Sequence, residues 1–272
     1  MKFAFKSIVA AAAFVAVGAA SAATPYAGTW SVVSGSGGLT FSADALGALK
    51  TSGSAVRTEV INGTGLPGAG ATNTAVYTKA TGNVALTFDT ASINGDSLSS
   101  LSAANSLVNI RRTVVEDGAV VGTLNVYMSN FKVDLSSSTI FADLYSDTGS
   151  LASLQSYGNR SIFTATIPGV VGGTQGNIQV TSVAADGSAT GTASGGLAGD
   201  LKMNLGTADI ILTALDLGTT GSVADLVKNA KWGSTNASGT FTAPAPIPEP
   251  STYVLMGLGL VAIGAVARRR AA

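Results

Sequence analysis

The sequence predicts an all-β fold: an antiparallel β-sandwich or barrel with one to three short helices, plus an N-terminal signal helix and a C-terminal transmembrane helix. Three observations lead there. Polar and apolar residues alternate over short stretches, most clearly where Phe131, Val133 and Leu135 interleave with Lys132 and Asp134, and period two places successive side chains on opposite faces of a strand. Turn-forming clusters such as Thr81-Gly82-Asn83 and Glu116-Asp117-Gly118 recur between these stretches, as they do in sandwiches and barrels. No fixed-period repeat is present, which disfavours a β-solenoid.

Taken in order, Gly28 to Ser34 reads as a first strand that ends at Gly35-Ser36-Gly37-Gly38. Ser42 to Leu49 reads as a short helix, with Ser42 able to cap it, Asp44 at its positive end, and Leu46 and Leu49 on one face. Ala55 to Ile61 is a strand and Asn62 to Ala71 a glycine-rich loop. Ala75 to Lys79 and Asn83 to Asp89 form a hairpin, whereas Leu98 and Leu101 give Ser97 to Ser106 a weak helical spacing. Val108 to Val115 and Ala119 to Met128 pair about the Asp117-Gly118 turn. Strands over 131–135 and 140–145 extend this meander, with Asn130 and Ser136 to Ser138 as turns. Ser161 to Ile167, Asn177 to Val183 and Gly187 to Ala193 are further strands. Leu197 to Leu205 and Asp209 to Leu217 are ambiguous, the alternation of Leu201, Met203 and Leu205 favouring strand for the first. Ser222 opens a short helix over Val223 to Lys228, and Thr235 to Phe241 is the last strand.

The two ends are built differently. Lys2 and Lys6 precede an apolar run from Ile8 to Ala20, and Ala20-Ser21-Ala22 is a small-x-small cleavage site, so residues 1–22 read as a secretory signal peptide. Residues 23–241 form the secreted β-rich domain, and 242–250 a proline-rich linker. Residues 251–267 are a transmembrane helix and 268–272 a basic cytoplasmic tail. The 15 residues from Tyr253 to Ala267 carry no charge. As a helix they reach about 22 Å, short of the roughly 30 Å hydrocarbon core, so the span is marginal. Arg268, Arg269 and Arg270 hold the C-terminus in the cytoplasm and the body outside.

Pro248-Glu249-Pro250-Ser251-Thr252, the apolar run and the terminal arginines together resemble the PEP-CTERM sorting signal of Gram-negative bacteria. The resemblance implies processing by an exosortase near Pro248, Glu249 and Pro250. It further implies that signal peptidase is a second processing enzyme, that the inner membrane is a transient anchor, and that the product goes to the cell surface or an exopolysaccharide biofilm matrix. An ordinary C-terminal membrane anchor is the plainer alternative.

Composition narrows the chemistry. Five of the 15 basic residues (Lys2, Lys6, Arg268, Arg269, Arg270) and only Glu249 of the 15 acids lie in the terminal signals, leaving the body ten basic against fourteen acidic groups, net −4. A nucleic-acid partner, which demands a basic face, is therefore not expected. The absence of cysteine excludes disulfides, and the absence of histidine excludes Ser-His-Asp triads and histidine metal sites.

The remaining motifs each have a plainer reading. Gly63-Thr64-Gly65-Leu66-Pro67-Gly68 satisfies G-x-G-x-x-G, but no helix follows it, so a flexible loop is expected. Asp147-Thr148-Gly149-Ser150 has the form of an aspartic-protease loop and Asp89-Thr90-Ala91 that of a degenerate partner. A carboxylate-only hydrolase is the remote alternative, and strand-end turns explain both loops. Asp89, Asn94, Asp96 and Asp186 offer weak calcium loops; no metal site or cofactor is assigned. Trp30, Trp232, Tyr127 and Tyr145 are candidate residues for stacking on a ligand ring, against the alternative that Trp30 and Trp232 are core residues where the first and last strands meet. Arg111-Arg112 reads as an exposed strand residue beside an inward one. The order of Trp30, the segment Leu39 to Leu49 and the meander ending Ala142-Asp143-Leu144-Tyr145 resembles HtaA-type surface domains, which implies haem uptake with tyrosine as axial ligand. The expected role is a non-catalytic structural or adhesive one, with an extracellular module for polysaccharide or haem as the alternative.

Overall fold

The first and last strands of the domain pair with each other, and both run through the middle of one sheet. In the computed structural model, which describes residues 30–58, 66, 68, 73–245, 254–261 and 263, the chain opens with strand β1 (Ser31–Phe41) and helix α1 (Ala43–Thr51). There follow β2 (Ser54–Arg57), β3 (Val76–Thr78), β4 (Asn83–Thr87), β5 (Thr90–Asn94) and β6 (Ser97–Glu116). Next come β7 (Ala119–Asp134), β8 (Thr139–Asp147), β9 (Gln155–Ala165), β10 (Val170–Val171), β11 (Gln179–Val183), β12 (Ala189–Leu197) and β13 (Leu201–Met203). Helices α2 (Leu205–Ala214) and α3 (Ser222–Asn229) precede the closing strand β14 (Gly233–Ala243). The signal cleavage residues Ala20 and Ala22, the motif Pro248, Glu249, Pro250 and the arginines Arg268, Arg269 and Arg270 lie outside the described residues.

Two antiparallel seven-stranded sheets result. The first has the order β10-β12-β14-β1-β4-β3 with β11 beside β12, and the second β13-β9-β8-β7-β6-β2 with β5 beside β6. Apolar residues from both sheets, among them Leu39, Val84, Phe88, Val108, Met128 and Phe163, meet in one core. Ala45, Ala48, Ile211, Leu212 and Val227 of the three helices close that core at one end. Ser42 caps α1 as its spacing suggests, its Oγ accepting from the Ala45 N–H. Asn204 caps α2 in the same way, accepting from Gly206 and Thr207.

Gly35 to Gly38 do not end β1; they are its middle. A Cβ on Gly38 would lie 2.0 Å from the Val84 carbonyl oxygen, and one on Gly37 2.3 Å from that of Asn236. The stretch is glycine-rich because neighbouring backbones approach it closely from both sides. Ser97 to Ser106, given weak helical spacing above, is the first half of β6. Its alternation is hidden by a bulge: the ladder to β7 shifts between Ala103 and Leu107, where Asn105 adopts φ 57°. A matching bulge at Asn130 (φ 51°) interrupts β7, where a turn was expected. Each bulge inserts an odd residue into the alternation, so Leu101 and Ala103 face the same core as Val108 and Ile110. Asn130 Oδ1 accepts from the Asn105 N–H at 3.1 Å, and Asn130 Nδ2 donates to Asp143 at 3.0 Å. Asn159 Nδ2 donates to the other Asp143 oxygen at 3.0 Å, so one polar row ties the bend across four strands.

Leu201–Met203 is the strand its alternation favours, the open stretch beyond it is mostly α2, and Arg111 and Arg112 are both half-buried. Arg111 Nε donates to Asn125 Oδ1, and Arg112 donates to the carbonyls of Leu215 and Asp216 at 2.6 and 2.7 Å. Arg112 thus satisfies the free carbonyls at the C-terminus of α2 and complements its negative end.

Gly38→Ala should destabilise the processed protein by about 3 kcal/mol or more, because the clash is with backbone. Gly47→Ala should stabilise it by roughly 0.5–1 kcal/mol, since Gly47 is exposed in α1 with nothing within 4 Å of a new Cβ. Urea unfolding of the two variants beside the wild type checks both signs.

Candidate functional site

The charges of the strands are divided unevenly. None of the seven strands of the first sheet contains Asp, Glu, Lys or Arg, whereas those of the second contain ten. The outer face of the first sheet is instead built from small neutral polar residues in register. Ser36 stands between Ser238 and Thr87, Ser238 between Ser36 and Ser194, and Thr240 between Ser34 and Thr192. The Oγ atoms of Ser36 and Ser238 are 3.4 Å apart across β1 and β14. Ser34, Ser36, Thr192, Ser194, Ser238 and Thr240 line a shallow depression of about 280 Å³ on this face. Each hydroxyl is both donor and acceptor. The surface can therefore match a partner that presents neutral hydroxyls, and it offers nothing to neutralise a charged one.

The outer face of the second sheet carries the other concentration of polar groups. Asp147, 3% exposed, accepts from Asn125 Nδ2 at 2.7 Å, Tyr127 Oη at 2.7 Å and the Gly149 N–H at 2.8 Å. Asn125 Oδ1 in turn accepts from Asn109 Nδ2 and Arg111 Nε at 3.1 and 2.9 Å. Burial first, and then the neighbouring Asp147 carboxylate, push the Tyr127 phenol far above the ordinary tyrosine range. Leu66 packs beside Leu107 and Tyr127, with Tyr145, Leu151 and Leu154 alongside. Leu66 is thus anchored in the loop expected to be flexible, and Gly68 (φ 78°) lies so close to the Asn105 carbonyl that a Cβ would come within 2.4 Å of its oxygen.

The four candidate stacking rings are not brought together on a surface. Trp30 (6% exposed) packs among Ile178, Ala193 and Phe241, and its Nε1 donates to Asp96 at 2.9 Å. Trp232 (1% exposed) lies in the main core against Phe41 and Phe163. The two mark opposite ends of the β1–β14 pair rather than one meeting point. Tyr127 and Tyr145 are cross-strand neighbours, but Tyr127 is buried and its hydroxyl is engaged by Asp147. A buried ring has no free face for a sugar, so Trp30, Trp232 and Tyr127 are corrected from ligand stacking to packing.

Asp89 and Asp147 take separate partners. Asp89 accepts from the Ala104 N–H and Thr90 Oγ1, and neither carboxylate is a hydrogen-bond partner of the other. Asp186 folds back onto the Ser188 N–H and hydroxyl, which hold its carboxyl below the usual range. Among the described residues, no three Asp, Glu, His or Cys side chains gather as metal ligands.

Beyond β14, residues 254–261 are helical and their apolar side chains are exposed. Among the described residues no helix is long and apolar enough to cross a membrane. Residues 246–270 match the model of the PEP-CTERM protein-sorting motif. The tail is thus a sorting signal, and the chain it ends is targeted to an exosortase and to the outside of the cell. No curated protein matches the chain. Among solved structures, the C-terminal domain of HtaA from Corynebacterium glutamicum is similar at a TM-score of 0.34 and 11% identity, over 78% of this chain and 99% of that one.

The Asp147 network gives a pH prediction. A group whose folded pKa is raised contributes stability that is intact below the unfolded value, about 10 for tyrosine, and is lost as pH rises above it. The wild type should therefore begin to lose stability near pH 10, the free tyrosine value, and go on losing it as the pH rises further. Tyr127→Phe should be less stable at pH 7 by about 1–3 kcal/mol, because Asp147 loses a donor, and should lose less on going to pH 11. Urea midpoints at the two pH values measure this.

Proposed function

We propose that this chain is an exported, exosortase-processed component of the cell surface or exopolysaccharide matrix, with a non-catalytic structural and adhesive role. The observation that carries the reading is the joining of a sorting motif at 246–270 to a domain whose first sheet bears no charged residue in any strand. The motif supports release or display outside the cell. The exposed apolar helix before the arginines supports a membrane hold that precedes processing.

The outer hydroxyl face of β12, β14 and β1 is the contact surface, and neutral polysaccharide is its partner. A single contact of this kind is weak, because each hydrogen bond to the sugar replaces one to water and nets about 1 kcal/mol. Repeating units on one polymer, met by many copies of the protein, multiply the effect through avidity. Haem finds less support, since the Tyr127 hydroxyl is already bound to Asp147.

Two measurements test the reading. Mass spectrometry of the extracellular protein should find an N-terminus near Ala23 and a C-terminus between Pro248 and Ser251; an intact end at Arg268 to Ala272 contradicts the sorting step. On a column of the polysaccharide made by the same cells, Ser238→Glu should lower retention by roughly tenfold, since it places an unpartnered charge against a neutral ligand. Ser238 is exposed, so its urea midpoint should stay within about 0.5 kcal/mol of wild type.

A further inference from the structure

Strands β6 and β7 outrun the rest of their sheet. The ladder of β2 stops where Ser54 stands opposite Arg112, and that of β8 where Asp147 stands opposite Asn125. Beyond those points residues 113–116 and 119–124 pair only with each other, about the Asp117-Gly118 turn. Leu98, near the start of β6, packs on the small core that holds Ala243, the last residue of β14. Arg112, further along β6, reaches the carbonyls that end α2. The two-stranded arm therefore projects at the end of the domain opposite the sorting tail.

The arm is apolar where it meets water. Val115, Val120 and Val121 are 55%, 66% and 55% exposed, and Val115 stands opposite Val120. Its charges, Glu116 and Asp117, sit at the tip. A lone two-stranded hairpin is marginally stable in water, and a free strand edge offers a row of backbone N–H and C=O groups to another strand. The two edges of the arm differ. On β7 the ladder shifts at Val121, and a Cβ on Gly149 would lie 3.1 Å from the Thr123 carbonyl oxygen, so a bulge and the chain after β8 guard that side. On β6, residues 113–116 carry no lysine or proline, and among the described residues they pair with β7 alone.

We infer that this β6 edge docks on the β6 edge of a second copy of the chain, joining the two second sheets through their arms. Directly opposed residues of an antiparallel pair share a face, so a two-fold axis between identical strands sets one residue opposite itself. Centred on Val115, the pairing sets Val114 against Glu116 and Thr113 against Asp117 of the other copy. No acid then opposes an acid, and each Asp117 comes next to the residue that precedes Thr113, which is Arg112, so opposite charges approach. Centring on Val114 would instead bring Glu116 level with Arg112, the position Ser54 already occupies. A contact of so few residues falls well under the roughly 1,200 Å² of a stable interface. It is weak, and forms where copies are crowded. The inference is independent of the polysaccharide face, which belongs to the other sheet.

The test uses the processed protein with one introduced cysteine, since the chain has none of its own. Opposed Cβ atoms lie about 4.5–5.5 Å apart, close to the separation a disulfide spans. Under mild oxidation Val115→Cys should give a disulfide-linked dimer, whereas Val121→Cys and Val183→Cys, exposed to a similar degree, should stay monomeric. Sedimentation of the cysteine-free protein should show a dimer that grows with concentration into the millimolar range. Val115→Lys should abolish it, because lysine on an edge blocks strand addition; if that variant does not fold, Thr113→Lys on the same edge serves in its place. Equal cross-linking of the three cysteine variants overturns the proposal, as does a dimer unchanged by the lysine. A monomer at every concentration overturns it too, and a bimane label on Val120→Cys that then responds to phosphatidylcholine vesicles would assign the valines to a lipid surface instead.

Discussion

The pairing of β1 with β14 is the constraint on which the rest of the structure depends. Ten residues of the first strand lie in register with ten of the last, from Ser31 opposite Thr242 to Phe41 opposite Gly233. The two strands occupy the centre of their sheet, so β4 and β3 on one side and β12, β11 and β10 on the other are placed only through them. Strands about 200 residues apart must meet before that sheet exists, a long-range closure of the kind that makes β-proteins fold slowly. The contact is close because glycine occupies it. A Cβ on Gly233 would lie 2.0 Å from the Thr40 carbonyl oxygen, as one on Gly38 would from that of Val84. The match to the sorting motif begins at residue 246, just after β14 ends at Ala243, so the strand that completes the domain leads straight into the sorting signal.

The same glycine and alanine positions shape both faces of this sheet. On the inside they admit the side chains of Phe88, Phe241 and Val170, which pack over Gly35, Gly37, Gly239 and Gly195. On the outside, the residues between them are Ser, Thr and Asn, which form a level hydroxyl surface without charge. Charged side chains commonly protect exposed sheets from association. Their absence here, beside a second sheet that carries ten, separates a face suited to neutral contact from one suited to water. The second sheet keeps its charges ordered: Arg112 closes the end of α2, and the Asp147 carboxylate is satisfied by Asn125, Tyr127 and Gly149.

The sorting signal was legible in the sequence because its determinants are local and ordered: a proline-flanked glutamate, an apolar run and arginines. The meander from Val108 to Leu144 was legible because alternation and an Asp-Gly turn coincide there. Gly35 to Gly38 misled because a strand whose glycines admit neighbouring backbones has the composition of a turn. Ser97 to Ser106 and Asn130 misled because bulges break period two, and the pair Asn105 and Asn130 is recognisable only once both strands are placed. The hydroxyl face had no local motif. Its signal was an absence of charge spread over segments far apart in the chain, and only the sheet order assembles it. The aromatic residues drew attention by their chemistry, but burial at both ends of the β1–β14 pair had the stronger claim on Trp30 and Trp232.

The proposed contact of the body with its surroundings runs through the neutral sheet rather than the charged one. Ionic strength separates the two, because contacts between exposed charges weaken as the screening length falls from about 10 Å at 0.1 M salt to about 3 Å at 1 M. The direct measurement is binding of the processed protein to polysaccharide from its own cells across that range of salt. Affinity unchanged across the range is the predicted result; a steep fall with added salt would assign the contact to the second sheet and contradict the account.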